Sequence, residues 1–387
     1  MKILFLISGR RLPASRFRVL QYLPRLRAAG HECTVAPSVP PKYCGFPLLG
    51  NRGSEWPRRM FRAWDVLHAW RADYDVVFLE RELFSTDFVL LERMLRRVAR
   101  TLVLDVDDAL FVLHPRKFET LLALSDCVIA GNRLLHEKVA AEHPFTVEIP
   151  TAVDLDRYAP RLVAVSRRAR PIIGWTGLAS NIPYLEVVAR ALRDLARRTD
   201  FELRIVAEDP RPLARLDLAG VRVRFVPWSE DNEIAVLRQF DIGLMPLPDD
   251  GWTRYKCGLK LIQYMALGIP GIASPVGVNA EIVRHGETGF LARTASQWLE
   301  CMARLVSGPA LRRRIGGAGR EEIAARYSLD QTAPLLIDTL ERAAAGGRVQ
   351  PVVTTLPAEE RLRARSTNDW RPRTVQHSDH EMPVLHG

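Results

Sequence analysis

The sequence predicts an α/β fold of two facing Rossmann-like domains, and three observations indicate it. Short apolar runs alternate with amphipathic segments of helical period, which is typical of parallel sheets covered by helices. The chain has 387 residues, which is long for one core and suits two domains. Hydrophobic residues make up 47% of the chain, so there is enough apolar material for both cores.

Each half of the chain contains six predicted strands. They cover residues 3–8, 32–36, 75–79, 101–106, 127–130 and 147–149 in the first half, and 172–175, 203–207, 222–226, 242–245, 271–273 and 289–291 in the second. Between the halves, "PTAVDLDRYAP" interrupts the pattern with two prolines, and "RPIIGWTG" restarts it with a strand that runs into a glycine turn. We therefore predict an N-terminal domain over residues 1–165, a C-terminal domain over residues 166–344 and a cleft between them.

The two ends of the chain and its cysteines indicate where the protein resides. Residues 345–387 are rich in Pro, Thr, Arg, Ser and His without apolar periodicity, which predicts a flexible tail. The five cysteines are scattered, and no Cys-x-x-Cys pair offers metal or redox spacing. The apolar run in "MKILFLISGRR" is too short for a signal peptide or a membrane span. We expect a buried first strand and a cytosolic protein.

A glycine turn opens the second half of the chain. In "GWTG" the residues Gly174 and Gly177 allow close backbone approach and Thr176 offers a hydroxyl, at a point where a strand leads into a helix. Helix amino termini attract anions, so this is a candidate phosphate-binding turn. An ordinary strand-to-helix turn is the alternative. Neither the Gly-x-Gly-x-x-Gly pattern of nicotinamide-binding proteins nor a Walker loop is present.

Two lysines lie in the stretch "DDGWTRYKCGLKLIQYMALGIPGIASPVG". If residues 256–267 form a helix, Lys256, Lys260 and Gln263 share one stripe that faces the cleft. Like charges at this spacing weaken a helix, so the presence of both lysines favours a binding role. They also follow the carboxyl end of a strand, where ligands bind in open α/β sheets. The alternative is a solvated helix surface.

The order of these motifs resembles a known family. The segments "IIGWTGLASNIPYL", "FVPWSEDNEIAVLRQFDIGLMPL", "KCGLKLIQYMALGIPGIASPVGVNAEIV" and "HGETGFLA" are similar to the donor-binding half of the family 4 retaining glycosyltransferases of the GT-B fold. In the first half, "SRFRVLQYLPRL", "LDVDDALF" and "IPTAVDLDRY" resemble a bacterial subgroup of that family. The resemblance covers roughly residues 1–343 and implies transfer of a sugar from a nucleotide-diphosphate sugar, with retention and without a metal or other cofactor.

The resemblance implies roles for residues of the second domain. It places Gly174, Thr176 and Gly177 near the donor diphosphate and makes Lys260 the family's phosphate-binding lysine. The family's two glutamates are replaced here by Tyr255 and Gln263. A glutamine still accepts hydrogen bonds from the ribose diol through its carbonyl oxygen, whereas the tyrosine changes the donor-sugar position. The usual basic residues of the first loop are missing too, so Lys256 is expected to supply that charge.

Three further residues of the second domain are expected near the donor. Trp228 follows a strand where the family places the nucleobase, with plain packing as the alternative. Gly277 and Asn279 in "GVNAEIV" lie at a helix start whose backbone N–H groups can contact phosphate or sugar.

The first domain offers candidates for acceptor binding and catalysis. We expect Asp107 or Asp108 of "DVDD" to orient or deprotonate the acceptor hydroxyl, with helix capping and a metal site as alternatives. Arg16 and Arg18 of "SRFR" follow the first strand's loop and are expected to face the same cleft, with surface ion pairing as the alternative. The acceptor itself is a carbohydrate, a lipid-linked molecule or another small molecule.

The basic character of the chain bears on larger partners. The net charge is +10, yet no nucleic-acid-binding fold accompanies it, so no nucleic acid partner is expected. The segment "SEWPRRMFRAWDVLHAW" predicts a basic amphipathic helix that could lie on an anionic membrane surface, or else pack on the core with one solvated face. Its arginines and its apolar residues fall on opposite sides: Arg58, Arg59 and Arg62 against Trp56, Met60, Trp64 and Leu67.

Two other functions fit the same fold. A non-catalytic nucleotide-sugar-binding protein would explain the loss of both family glutamates. A nucleotide-sugar epimerase would need acid and base side chains in the cleft, for which His285 and Glu281 are the candidates in the second domain's motifs.

Overall fold

The computed structural model describes residues 1–46, 48–160 and 170–346. Within these ranges the chain forms two parallel six-stranded sheets, with strand orders β2-β1-β3-β4-β5-β6 and β12-β11-β10-β7-β8-β9. Each sheet carries helices on its faces and its own hydrophobic clusters. This is the predicted pair of Rossmann-like domains. The predicted division near residue 165 falls among residues outside the described ranges, as does nearly all of the predicted tail.

The first sheet is built from the N-terminal half of the chain. Its strands are β1 (Lys2–Ile7), β2 (Glu32–Pro37), β3 (Val76–Glu80), β4 (Thr101–Val106), β5 (Cys127–Ala130) and β6 (Thr146–Glu148). The helices among them are α1 (Leu23–Ala28), α2 (Gly50–Gly53), α3 (Glu55–Ala72), α4 (Leu90–Val98), α5 (Leu110–Leu113), α6 (Pro115–Leu124) and α7 (Arg133–Ala140). A π-helical turn, Ser15–Val19, and a 3-10 turn, Leu20–Tyr22, precede α1.

The second sheet follows the same plan. Its strands are β7 (Ile172–Thr176), β8 (Glu202–Ala207), β9 (Val223–Pro227), β10 (Ile242–Met245), β11 (Gly271–Ala273) and β12 (Phe290–Leu291). The helices are α8 (Glu186–Ala196), α9 (Glu233–Leu237), α10 (Leu259–Ala266), α11 (Asn279–Ile282), α12 (Ala295–Ser307), α13 (Pro309–Arg326) and α14 (Leu329–Ala344). Three 3-10 segments, Ala179–Leu185, Arg211–Arg215 and Thr253–Tyr255, lie in its connections.

All twelve predicted strands are present in the described residues, with ends that differ by at most one residue from the prediction. The reason is that central strands such as β1, β3, β4 and β10 are buried on both faces, so their apolar runs have no competing explanation. Every described strand pair is parallel, which brings the carboxyl ends of each sheet's strands to one edge.

The last described helix crosses back to the first domain. Leu336 and Leu340 of α14 pack in one cluster with Ile3 and Phe5 of β1. The sequence placed residues 329–344 in the second domain because they follow it in the chain. Chain order does not decide packing, and the apolar stripe of this helix closes the first sheet instead.

Helix α3 faces the opposite way from the prediction. The side chains of Arg58 and Arg62 are buried, with 3% and 2% of their surface exposed, while Trp56 and Trp64 are 70% and 64% exposed. The arginines turn inward because backbone carbonyl groups accept from them: Arg62 donates to the oxygen of Ile7 at 2.6 Å. The expectation that the arginines form the solvated or lipid-facing side is therefore wrong.

No helix among the described residues combines the length and the apolar character that crossing a membrane requires.

Candidate active site

The carboxyl edges of the two sheets meet at a set of charged side chains. Lys256 of the second domain lies with its Nζ 3.7 Å from Oδ1 of Asp108 in the first. Next to it, the Sγ of Cys257 donates to the carbonyl oxygen of Asp107 at 3.3 Å. The carboxyl-end edges of the two sheets thus face each other and line one shared site.

Lys260 is a second cation at this edge. It lies in the first turn of α10, and its Nζ is 5.6 Å from the centre of the Trp175 ring. Burial, with the nearby charge of Lys256, lowers the pKa of Lys260 to about 7, although Asp108 acts in the opposite direction. An anion bound next to the two amines would stabilise the charged form of both, so this pair is a candidate anion-binding site.

Lys256 does not belong to the helix that the sequence predicted over residues 256–267. Its backbone is extended, with φ −66° and ψ 141°, and α10 begins at Leu259. Gly258 takes a left-handed backbone, with φ 68°, directly before the helix, so the helix begins three residues after Lys256. The two lysines nevertheless converge, because the turn before the helix directs Lys256 toward Asp108.

Of the three residues predicted in the glycine turn, Gly177 is the one that contacts the lysine. A Cβ at this position would lie 2.6 Å from Cε of Lys260, so only glycine admits the lysine side chain. Thr176 ends β7, and its N–H donates to the hydroxyl of Tyr264 at 3.0 Å. Gly174 lies inside β7, where a Cβ would meet the Phe240 ring at 2.0 Å, so its close contact is with the core.

Gln263 is buried in a polar network. Its Nε2 donates to the hydroxyl of Tyr158 at 2.8 Å and to Oε1 of Glu233 at 3.4 Å. A carboxylate therefore lies next to the position at which the resembled family has a glutamate.

Arg16 and Trp228 belong to the same network. Nη2 of Arg16 lies 2.5 Å from Oε2 of Glu233, and the guanidinium lies 5.3 Å from the centre of the Trp228 ring. The indole N–H of Trp228 donates to Oε1 of Glu233 at 3.2 Å. Arg16 was expected to contact the acceptor, but its charge is used to join the two domains.

The loop after β11 is held by side chain and backbone together. Gly277 has φ 56°, and a Cβ there would lie 2.2 Å from the carbonyl oxygen of Arg254, so the loop needs glycine for close approach. Asn279 is 1% exposed, and its Nδ2 donates to the carbonyl oxygen of Ser274 at 3.1 Å. Its Oδ1 is buried without a protein partner among the described residues.

The aspartates of "DVDD" are held by arginines. Arg81 binds Asp107 through two nitrogens, with Nη2 at 2.9 Å from Oδ2, and the same Nη2 lies 2.9 Å from Oδ2 of Asp108. Burial alone would raise the pKa of Asp107, but Arg81 outweighs it and the pKa lies below its ordinary value. Over the ranges that the structure covers, no group of three or more acidic, His or Cys side chains is placed to hold a metal ion.

Arg18 does not face the cleft. Its guanidinium is buried against Asp105, with Nη2 2.5 Å from Oδ1, and its Nη1 donates to the carbonyl oxygen of Ile149 at 2.8 Å. The sequence could not separate the two arginines of "SRFR". Their partners lie about ninety to two hundred residues away in the chain, so only tertiary contacts distinguish them.

The remaining predicted residues lie at the domain contact or on the surface. The ring of Tyr255 packs edge-on against Phe111 of the first domain, with centroids 4.8 Å apart. Glu281 is paired with Arg133 at 2.7 Å, and the Nδ1 of His285 accepts from the N–H of Leu291 at 3.1 Å. Glu281 and His285 therefore do not form an acid and base pair in the cleft.

Sequence reasoning missed three residues of the site: Arg81, Glu233 and Tyr158. Arg81 has a left-handed backbone, with φ 62°, which is uncommon outside glycine and concentrates at functional sites. The charged pair Glu80 and Arg81 directly after the apolar run of β3 was the available signal. Glu233 and Tyr158 gave no comparable signal because they come from a helix and a linker that only the fold brings together.

Part of the second domain is similar to a known family of proteins. Residues 170–308 match the family described as glycosyl transferases group 1. The chain is 28% identical over 249 residues to a D-inositol 3-phosphate glycosyltransferase of Nocardia farcinica, covering 58% of this chain and 54% of that protein. It is 26% identical over 209 residues to a phosphatidyl-myo-inositol mannosyltransferase of Mycobacterium leprae, covering 52% and 54%. The chain thus spans about half the length of these curated relatives.

Solved structures show the same fold across nearly the whole chain. A sucrose-phosphate synthase from Thermosynechococcus elongatus matches with a TM-score of 0.68 and 19% identity, covering 90% of this chain and 100% of that one. Anabaena HepE in complex with UDP-glucose matches with a TM-score of 0.63 and 17% identity, covering 88% and 99%. The two facing parallel sheets are therefore those of the GT-B fold.

Proposed function

We propose that the protein transfers a sugar from a nucleoside diphosphate sugar to an acceptor at the edge between the two domains. The convergence of Lys256 and Lys260 beside Gly177 is the observation that carries the proposal. Cleavage of a glycosyl phosphate leaves negative charge on the diphosphate, and fixed cations aimed at that charge stabilise the transition state. In this proposal Lys256 and Lys260 are those cations, and the reaction needs no metal.

The altered charge of Lys260 fits this role. A diphosphate bound near the amine would favour its protonated form and so raise the lowered pKa. Gly177 lets the lysine reach the turn after β7, and Thr176 fixes that turn through Tyr264. Gly277 and Asn279 hold the neighbouring loop, where the buried Oδ1 of Asn279 can accept from a sugar hydroxyl.

The nucleoside would lie along the network of α9 and α10. Gln263 and Glu233 together present an amide and a carboxylate 3.4 Å apart, which can hold a ribose diol. Glu233, whose charge is paired with Arg16, would add a carboxylate acceptor beside Gln263. The Trp228 ring, covered on one side by Arg16, offers stacking or edge contacts to a base.

The acceptor would approach from the first domain. Asp108 is the better candidate to orient its hydroxyl, since Asp107 is bound by two nitrogens of Arg81 and its lowered pKa makes it a weak base. Retention at the anomeric carbon, independence of metal and a carbohydrate, lipid-linked or small-molecule acceptor remain parts of this proposal. Arg18 has no place in it, because Asp105 occupies its guanidinium.

The similar proteins support the donor class. Two curated relatives are named as glycosyltransferases acting on inositol phosphate or phosphatidyl-inositol compounds, and the HepE structure contains UDP-glucose. A non-catalytic nucleotide-sugar-binding protein is the second candidate, because Tyr255 and Gln263 replace the family glutamates. The epimerase alternative lacks support, since Glu281 is paired and His285 lies on the surface.

A nucleotide panel followed by a turnover assay tests the proposal. Thermal unfolding is measured with UDP, GDP, ADP and NAD, each with and without EDTA. At a hundredfold excess over Kd, the cognate diphosphate adds about 2.7 kcal/mol of stability, and we expect EDTA to have no effect. Slow release of nucleotide from the matching nucleotide sugar, with water as the acceptor, distinguishes an enzyme from a binding protein. A shift with NAD alone, or none with any diphosphate, would refute the proposal.

A further inference from the structure

Helix α3 turns an apolar face to solvent. Five of its large apolar side chains are exposed, and we call them the tryptophan face: Trp56, Met60, Phe61, Trp64 and Trp70, at 70%, 55%, 47%, 64% and 63% exposure. From this surface we propose that the first domain docks onto an anionic lipid bilayer through α3 and the adjoining α4. The proposal is independent of the function proposed above.

The inward contacts of α3 hold this face outward. Arg58 donates to the carbonyl oxygen of Cys44 at 2.6 Å, and Arg62 donates to those of Ile7 and Ala36 at 2.6 and 3.1 Å. Rotating the helix to bury its tryptophans would strip two buried guanidinium groups of these acceptors, which is costly. The exposure is therefore part of the folded state.

The apolar surface continues beyond α3. Leu90 and Met94 of α4, which packs against α3, are 56% and 42% exposed. Leu48 and Leu49, in the segment before α3, are 99% and 53% exposed. Of the fifteen exposed large hydrophobic side chains in the described ranges, thirteen lie between residues 39 and 113. The exposed apolar side chains are therefore concentrated in the first domain, and those of α3 and α4 lie on two helices that pack together, which is typical of an interaction surface.

The charges around the tryptophan face indicate which partner binds it. Arg71 of α3 and Arg93 and Arg97 of α4 are exposed, so the surface carries positive charge. The carboxylates of both helices are each paired with a cation: Glu55 with Arg58, Asp65 with Arg62 and Glu92 with Lys117. Tryptophan rings suit the headgroup level of a bilayer, and exposed arginines suit lipid phosphates. An anionic bilayer meets both requirements at once.

The position of α3 ties the docked surface to the cleft. Its Arg62 binds the carbonyl groups of Ile7 and Ala36, which lie at the carboxyl ends of β1 and β2. The amino-terminal half of α3 therefore borders the same edge that lines the candidate active site. Docking would hold that edge close to the lipid headgroups.

Vesicle binding of the full chain tests the proposal. Co-sedimentation is measured with phosphatidylcholine vesicles and with vesicles that also contain phosphatidylglycerol. We expect binding to the anionic vesicles, quenching of tryptophan fluorescence by brominated acyl chains, and weaker binding at high salt, where the screening length falls to roughly 3 Å at 1 M. No pelleting, or equal pelleting of both vesicle types, would overturn the proposal.

Paired variants locate the contact. Trp56→Ser/Trp64→Ser should weaken partition roughly ten- to a hundredfold with unchanged melting temperature, since both side chains are exposed. Arg93→Glu/Arg97→Glu, with every tryptophan intact, should weaken binding to anionic vesicles. Val223→Ser, an exposed apolar position on β9, is the control and should bind normally.

Three results would refute the assignment. The tryptophan variant could bind as the wild type does. Light scattering could show a dimer that this variant converts to a monomer, so that a second copy covers the face. Vesicle binding could also appear only after removal of residues 347–387, which would indicate that the tail covers the tryptophan face in the full chain.

Discussion

Arg16 of the first domain and Glu233 of the second form a buried two-point ion pair across the domain boundary. Nη2 of Arg16 lies 2.5 Å from Oε2 and Nη1 lies 3.3 Å from Oε1, and the two side chains are only 5% and 6% exposed. Tyr158, Gln263 and Trp228 add hydrogen bonds to the same carboxylate. This polar network, next to the expected nucleoside position, is one of the contacts that place the two sheets relative to each other.

Removing one partner of this pair should loosen the domain contact. Arg16→Ala leaves the Glu233 carboxylate buried and without its cation, which typically costs about 3–5 kcal/mol. We expect a lower melting temperature and a larger radius of gyration by X-ray scattering. Arg157→Ala is the matched control: its pair with Glu230, at 4.0 Å, is exposed and should change stability by less than about 1 kcal/mol.

Replacing both partners separates the pair from the rest of the network. Arg16→Ala/Glu233→Gln should recover part of the lost stability, because no uncompensated charge remains. If the losses of the single variants simply added, the two residues would not act as a pair.

The two lysines should govern donor binding rather than folding. Lys256→Ala and Lys260→Ala each remove one charged contact to the diphosphate, so we expect a loss of nucleotide affinity of roughly ten- to a hundredfold with no loss of melting temperature in either variant. Calorimetry and thermal unfolding on the same samples check this. Arg254→Ala is the control, because this nearby arginine is 53% exposed and paired with Asp249. Normal nucleotide affinity in both lysine variants would contradict the assignment of the phosphate site.

Nucleotide affinity should fall as pH rises. The pKa of Lys260 lies at about 7, so the free protein loses this charge near neutrality. Binding of a diphosphate at about pH 8 should then be weaker than at about pH 6 and should take up protons. Calorimetry in buffers of different ionisation enthalpy measures that uptake. A profile that does not depend on pH in wild type would contradict the role of Lys260, and Lys260→Met should abolish the pH dependence.

The same residue should make stability depend on pH. Lys260 has a pKa of about 7 when folded and an ordinary value of 10.5, so between these limits the unfolded chain binds more protons. Stability therefore rises with pH across that window, and the destabilising effect of Lys260 is largest below about pH 7. Lys260→Met should raise the melting temperature more at about pH 6 than at about pH 10. The opposite order would show that the amine is not desolvated.

Gly177 should be required for the position of Lys260. In Gly177→Ala the added methyl group would lie 2.6 Å from Cε of Lys260 and 2.9 Å from the Trp175 ring, so the lysine must move. We expect reduced nucleotide affinity and a modest loss of stability. Gly251→Ala is the control, since nothing lies within 4 Å of a Cβ there. Equal affinity in the two variants would show that Gly177 serves packing alone.

Local patterns were sufficient for the secondary structure of the two sheets. Strands such as β4 and β10 are continuous apolar runs bounded by polar residues, and burial on both faces allows few alternatives. The motif order likewise predicted Lys260 and Gly177 in one place, and the structure brings the two into contact, while the role of Gln263 in the same site stays a prediction. These features depend on neighbours in sequence, which is why a single chain reveals them.

Contacts between distant residues were decided by the tertiary structure. The sequence could not show that Arg16 would bind Glu233 while Arg18 would bind Asp105, or that Arg81 would hold both Asp107 and Asp108. An arginine can donate to water, to a carboxylate or to a backbone carbonyl group, so its residue type alone does not reveal its partner.

The orientation of α3 is the clearest example. Its pattern placed arginines and tryptophans on opposite sides. Both alternatives, a helix on a membrane surface and a helix packed on the core, left the arginines outside the protein core. Carbonyl groups at the ends of β1 and β2, and in the segment after β2, accept from Arg58 and Arg62 and turn the tryptophans outward. Amphipathic periodicity defines two faces of a helix, but the hydrogen-bond acceptors that the rest of the fold presents determine which face is buried.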